Sequence, residues 1–137
     1  MATQITNQTE AAAAFKILRQ FIGASQIQAM ADVCRGEEKQ FMYGKLAEIV
    51  DTLETMPKTY ETDGQGQAAV VYLHYFINGF DWYITEKDME REQLHVFGLA
   101  DFGSPELGYI SIVELLQNGV ELDLHWTPKP LKEIHNH

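Results

Sequence analysis

Basic side chains are scarce in this sequence: ten Lys and Arg stand against twenty Asp and Glu, for a formal net charge of −10. Sequence-independent nucleic-acid binding works by neutralising phosphates with Lys and Arg, so the shortage argues against direct contact with nucleic acid. Cysteine is scarcer still. Cys34 is alone and cannot form an internal disulfide, and its helical neighbours Met30 and Val33 point to a buried thiol in a reducing compartment. No apolar run approaches the ~18 residues that a bilayer span requires. Residues 1–6, Met-Ala-Thr-Gln-Ile-Thr, also lack a basic stretch leading into an apolar one. The expectation is a cytoplasmic chain, neither secreted nor inserted in a membrane.

What is present is ordinary for a globular protein: 45% hydrophobic residues and 22% charged ones across 137 residues, enough for one core. A single domain over residues 1–137 is expected, with a helical half over 1–60 and a sheet half over 68–131. The charge is unevenly spread. Residues 1–46 carry five basic and four acidic side chains, whereas the other 91 carry five basic and sixteen acidic ones. That second-half excess either faces a basic partner or serves solubility.

Apolar spacing predicts a first helix over residues 11–22, through Phe15, Leu18, Phe21 and Ile22, ended by Gly23. Ser25 and Gln28 have capping-box spacing ahead of a second helix, which carries Ile27, Met30, Val33 and Cys34 and runs to Gly36. A third is predicted over 37–55, with Glu37 and Glu38 in its first turn and Met42, Leu46, Ile49, Val50 and Leu53 on one face. Residues 61–67 contain two glycines and no apolar side chain, and are predicted to form a mobile loop.

Beyond residue 70 the chemistry turns β-branched and aromatic. Asn78-Gly79 sits between residues 70–77 and 80–85, the strongest short signal for a β-hairpin. Residues 86–93 read as a solvated connection or one helical turn, and 94–100 as a third strand. Gly103, Pro105 and Gly108 read as a turn before a short strand at Tyr109 and Ile110. Ser111 and Glu114 form a capping box for a short helix over 112–117, and residues 120–125 alternate as a strand with one wet face. Helices followed by strands give an α+β fold: three N-terminal helices, then a mostly antiparallel sheet carrying one short helix.

No catalytic motif stands out. His74, His95 and His125 fall in predicted strands and could meet Asp81 or Asp123 as metal ligands, but their spacing is unspecific and isolated histidines are the plainer reading. His135 and His137 lie in a short tail. Asp101, Glu106 and Asp123 near strand ends could act as acid and base only if they met. Ser104 and Ser111 lie outside any Gly-x-Ser-x-Gly turn, and Gly64-x-Gly66 lacks the third glycine of a dinucleotide site. No catalytic residue, metal or cofactor is assigned. Two other groupings are candidates. Glu48, Asp51 and Glu54 recur every three residues on the third helix, with Glu61 and Asp63 following, a row that suits a basic groove on a partner protein or merely a solvated helix face. Trp82, Tyr109 and Trp126, with Asp101 and Glu106, could line a pocket between helices and sheet.

The strings Phe97-Gly98-Leu99-Ala100-Asp101, Pro105-Glu106-Leu107-Gly108-Tyr109-Ile110-Ser111, Glu114-Leu115, Glu121-Leu122-Asp123-Leu124 and Pro128-Lys129-Pro130-Leu131, with the tryptophan strand Asp81–Glu86, resemble a bacterial family of small uncharacterised proteins. The resemblance covers about residues 70–131. It implies an accessory protein of a mobile genetic element, plasmid, phage or integrated, from the neighbourhood of antirestriction genes. The family has no established catalytic residues to carry over. The leading expectation is a non-enzymatic antirestriction or anti-CRISPR protein that binds a host defence nuclease or CRISPR component through its acidic surface. The alternatives are a small-ligand-binding protein or enzyme using the pocket, and a structural oligomer built on the aromatic content.

Overall fold

The structure, a computed structural model, describes residues 2–134; the predicted His135/His137 pair lies outside them. Asn7 caps the first helix, its side-chain oxygen accepting from the Glu10 N–H at 2.9 Å, while the Glu10 carboxylate reaches back to Thr6. That reciprocal cap starts α1 (Gln8–Leu18) three residues earlier than the apolar pattern predicted. Phe21 and Ile22 are buried beyond its end, their N–H groups both bonded to the Leu18 carbonyl in a turn. Burial without helix is why the periodicity ran past the true terminus.

Gly23, not Ser25, precedes α2 (Ala24–Val33), and Ser25 sits inside it exposed. Cys34 follows, buried as expected, and burial pushes its thiol up despite the opposing charge of Arg35. Glu37 and Glu38 form a turn ahead of α3 (Lys39–Thr55) rather than its first turn. From α3 the side chains of Met42, Tyr43, Leu46, Ile49, Val50 and Leu53 enter the core.

The sheet half comprises β1 (Val70–Val71), β2 (Leu73–Ile77), β3 (Phe80–Glu86), β4 (His95–Asp101), β5 (Pro105–Ser111), α4 (Ile112–Gln117), β6 (Glu121–Leu122), β7 (Lys129–Pro130) and α5 (Leu131–Ile134). Five helices are described, three of them long. The five-stranded sheet has the order β5-β4-β3-β2-β6 with antiparallel pairing throughout, and β1 pairs with β7 apart from it. Asn78 and Gly79 take φ of 49° and 85°, the left-handed pair that a two-residue hairpin needs, and they fix the register from Ile77↔Phe80 to Leu73↔Ile84.

Each sheet face has its own cover. Leu73, Tyr75, Trp82, Ile84, Val96, Ile110 and Leu122 pack under the helices with Leu18, Ile22 and Leu46 in the main core. A buried aliphatic side chain of this kind contributes roughly 1.5–3 kcal/mol. On the opposite, outer face Leu99 joins Ala69, Val71, Leu131 and Ile134 in a smaller core, with Tyr83 and Trp126 against it.

Four expectations in the sheet half and its lead-in need correction. Residues 105–108 are the start of a seven-residue strand, because Pro at a strand's first position costs no ladder bond and Gly108 aligns with Gly98. Residues 123–125 turn away after two paired residues, with Asp123 Oδ1 accepting from the His125 N–H at 2.9 Å. The expected mobile loop is pinned: Thr62 is buried, and its N–H and hydroxyl, with the Tyr60 N–H, all donate to Glu86. Glu86 itself, expected in a solvated connection, ends β3 at 3% exposure.

Candidate functional site

The hairpin register sets the centre of the outer face. His74 lies opposite Tyr83, and Phe76 lies opposite Asp81. The next strand places Asp101 directly across from Asp81 and Leu99 across from Tyr83. Directly opposed residues share a face, so Asp81, Asp101, His74, Phe76 and Tyr83 all project on the side away from the helices. The turn after β6 brings Asp123 and Trp126 to the same place, where the Trp126 indole N–H donates to the Val71 carbonyl at 3.0 Å.

His74 is held on both edges and packed among aromatic rings. Its Nε2 is 2.7 Å from Asp81 Oδ1 and its Nδ1 is 3.0 Å from Asp123 Oδ2. Its ring stacks on Tyr83 with centroids 4.9 Å apart and planes 8° apart, and Trp126 lies 5.0 Å away at a tilt. With both nitrogens facing carboxylates, neither is free to take a proton from a substrate, so the imidazole braces the site rather than serving as a general base. The two carboxylates approach opposite edges of the ring and do not converge on a point. Among the described residues no group of three or more His, Cys, Asp or Glu is placed to hold a metal ion.

The electrostatics are one-sided. Asp81 and Asp101 are like charges on adjacent strands, an arrangement that is destabilising unless something else uses it. Both act on Tyr83, whose phenol is pushed up first by burial and then by these two carboxylates. Asp101 also accepts from the Gly103 N–H at 2.9 Å, which fixes it at the head of the β4–β5 turn. The nearby cation is Lys129, whose Nζ sits 4.7 Å from the Trp126 ring.

The predicted helix-three row is largely engaged within the chain. Glu48 pairs with Lys45 at 3.4 Å, and Asp51 accepts from the Thr3 N–H at 2.9 and 3.1 Å, contacts that hold its carboxyl below the ordinary value. Glu61 accepts from the Lys58 N–H at 2.5 Å, and Glu54 and Glu61 both act on Lys87. Glu48, Glu54, Glu61 and Asp63 remain exposed. Glu48 also borders a narrow groove with Thr52, Asp123 and Trp126, which joins the row to the outer face.

The five predicted pocket residues do not line one pocket. Trp82 and Tyr109 border a cavity of about 480 Å³ beside α4, with Phe80, Phe102 and Leu115. Asp101 and Trp126 belong to the outer face, and Glu106 is exposed on β5. Asp101, Glu106 and Asp123 likewise do not form an acid–base pair. The constellation that does form, Asp81–His74–Asp123, uses residues considered for metal binding, but in a bracing geometry. His74, Tyr83 and Asp81 could have been brought together from the Asn78-Gly79 turn alone by counting outward; Asp123 could not, since a two-residue strand carries no register signal.

A family model described as a protein of unknown function, DUF2958, matches residues 46–130. The match begins inside α3, well before the resemblance noted from residue 70, and takes in the whole five-stranded sheet. No curated protein and no solved structure matches the chain.

Proposed function

The chain belongs to the DUF2958 family of proteins of unknown function, and on that premise we propose that it is a non-enzymatic anti-defence protein of a mobile genetic element, which binds a basic partner protein through its acidic surface. The observation that carries the binding reading is the opposed pair Asp81 and Asp101, set among the rings of His74, Phe76, Tyr83 and Trp126. Opposed like charges work against the fold, and such local violations concentrate where a surface is used. Carboxylates beside aromatic faces suit a Lys or Arg side chain, which gains from the negative charge and from the ring quadrupole together. The exposed Glu48, at the end of the connecting groove, extends the surface toward Glu54. The mobile-element setting, and a restriction or CRISPR component as the partner, are supported by the sequence resemblance alone.

Tagged protein incubated with lysate of a restricting, CRISPR-active host is expected to retain a basic protein at low salt and to release it as ionic strength rises, because screening shortens the reach of the charges. The Asp81→Asn/Asp101→Asn double variant is expected to lose it at all salt concentrations. Retention that ignores both salt and these substitutions would remove the proposal. A second reading draws on the cavity beside α4, whose Phe80, Phe102 and Trp82 rings meet edge to face at 5.4 and 5.3 Å. A small apolar ligand held there would quench Trp82 fluorescence, and a screen in which none does so would leave only the first reading.

A further inference from the structure

β5 is an edge of the five-stranded sheet, and it is built as an edge that expects company. The Ile112 N–H donates to the Leu94 carbonyl at 3.1 Å, which fixes the ladder phase. Residues 106, 108 and 110 therefore bond inward to β4, Leu107 and Tyr109 direct their N–H and C=O groups outward, Ser111 directs its N–H outward while its carbonyl begins α4, and Pro105 offers a carbonyl only. No hydrogen bond to those outward groups exists among the described residues. Protected edges carry lysines, bulges or central prolines. This one has an uninterrupted register over seven residues, no basic side chain, Pro105 only at its first position, and two large apolar side chains, Leu107 at 48% and Tyr109 at 55% exposure.

We propose that β5 pairs antiparallel with β5 of a second copy of this chain, about a two-fold axis at Gly108, continuing the sheet across the dimer. The sequence is self-complementary in that register. Leu107 meets the second copy's Tyr109 and the reverse, in two hydrogen-bonded pairs, and each Ser111 N–H finds the other copy's Pro105 carbonyl. Glu106 falls opposite Ile110, so no like charges oppose one another. Gly108 faces Gly108 on the axis, where the absence of side chains lets the strands close. A shift of two residues in either direction puts Tyr109 or Leu107 against itself and strands one apolar partner. A second copy fits this edge better than an unrelated strand because the match uses every outward group on both sides. The proposal concerns the edge alone and does not depend on what the acidic face binds.

Sedimentation or light scattering across a concentration series tests it. Wild type is expected to run at twice the 15.6 kDa chain mass at micromolar concentration and to dissociate on dilution. Gly108→Asp is the decisive variant: a Cβ at Gly108 meets nothing within 4 Å in the monomer, yet two carboxylates would face each other on the axis. It is expected to weaken the dimer by at least about tenfold, with an unchanged circular dichroism spectrum. Leu107→Lys, at an exposed position, should act in the same direction and covers the case in which Gly108→Asp does not fold. A wild type that stays monomeric at high concentration, or a dimer that survives both substitutions, overturns the proposal.

Discussion

Replacing Asp101 by Asn should make the protein more stable. Asn keeps a side-chain oxygen to accept from the Gly103 N–H, so the β4–β5 turn is retained while one of two opposed charges is removed. Side chains directly opposite on neighbouring strands have Cβ atoms about 4.5–5.5 Å apart. Two unit charges about 5 Å apart repel by ~0.8 kcal/mol in water and ~3 kcal/mol at an effective dielectric constant of ~20. The Asp81 side chain is 32% exposed and already shares its charge with His74, which places the pair near the watery end. A gain of about 0.5–1 kcal/mol is expected, or roughly 1–4 °C in melting temperature for a chain of this size. Thermal unfolding at low and high salt is the assay. The gain should shrink as the Debye length falls from ~10 Å at 0.1 M to ~3 Å at 1 M. Tyr83 should also ionise more readily in the variant, since one of the carboxylates raising its pKa is gone. A loss of stability, or a gain indifferent to salt, would show that Asp81 and Asp101 do not oppose one another as argued.

Three further outcomes are expected. Gly98→Ala should cost about 3 kcal/mol or more in urea denaturation, because its Cβ would overlap the Tyr83 carbonyl oxygen and lie 2.9 Å from Ile84 Cα, all backbone atoms of the paired strand; a loss under ~1 kcal/mol would mean that β3 and β4 can part there. Tyr75 is fully buried, its hydroxyl donates to the Phe21 carbonyl at 2.5 Å, and burial raises its pKa above 10. The unfolded chain therefore releases that proton first, so the contribution of Tyr75 should be flat below pH 10 and fall above it by up to about 1.4 kcal/mol per pH unit; absorbance of ionised tyrosine should show Tyr75 silent until unfolding, in addition to the delayed ionisation of Tyr83 and Tyr109, whose pKa values are also raised. Burial alone would raise the Asp88 pKa, but N–H groups of Glu90, His95 and Leu94 at 3.0–3.2 Å bring it below 3.8. The stability it provides is present above that value and lost as pH falls through the folded one, and Asp88→Asn should cost about 1 kcal/mol at neutral pH.

Much of this fold was legible because its signals are local. The hairpin at Asn78-Gly79 requires two left-handed residues in succession, and few other dipeptides supply them. The Ser111 cap on α4 is equally local, its Oγ accepting from the Glu114 N–H at 3.2 Å. The errors arose where tertiary contacts decide. Ser25 has the same cap spacing as Ser111, but Gly23 is the residue that stands at the start of α2. Pro105 and Gly108 carry turn chemistry, yet their pairing with β4 outweighs it. Glu86 lies in a charged stretch, and only the folded 58–62 segment reveals that its carboxylate gathers three donors. The same limit governs the site. Counting carboxylates located the acidic half, but it could not show that Asp51, Glu86 and Asp88 are occupied by the chain's own N–H groups, nor that Asp81 and Asp101 stand directly opposite one another with His74 on Asp81.

The central claim, that the protein works by contact through its acidic outer face and carries out no reaction, is tested most directly by the entry of plasmid or phage DNA into restricting and CRISPR-active hosts. Cells producing the wild-type chain are expected to admit more of that DNA than control cells. Cells producing the folded Asp81→Asn/Asp101→Asn variant are expected to match the controls. No gain from the wild type in either host, or full protection by the variant, would contradict the account.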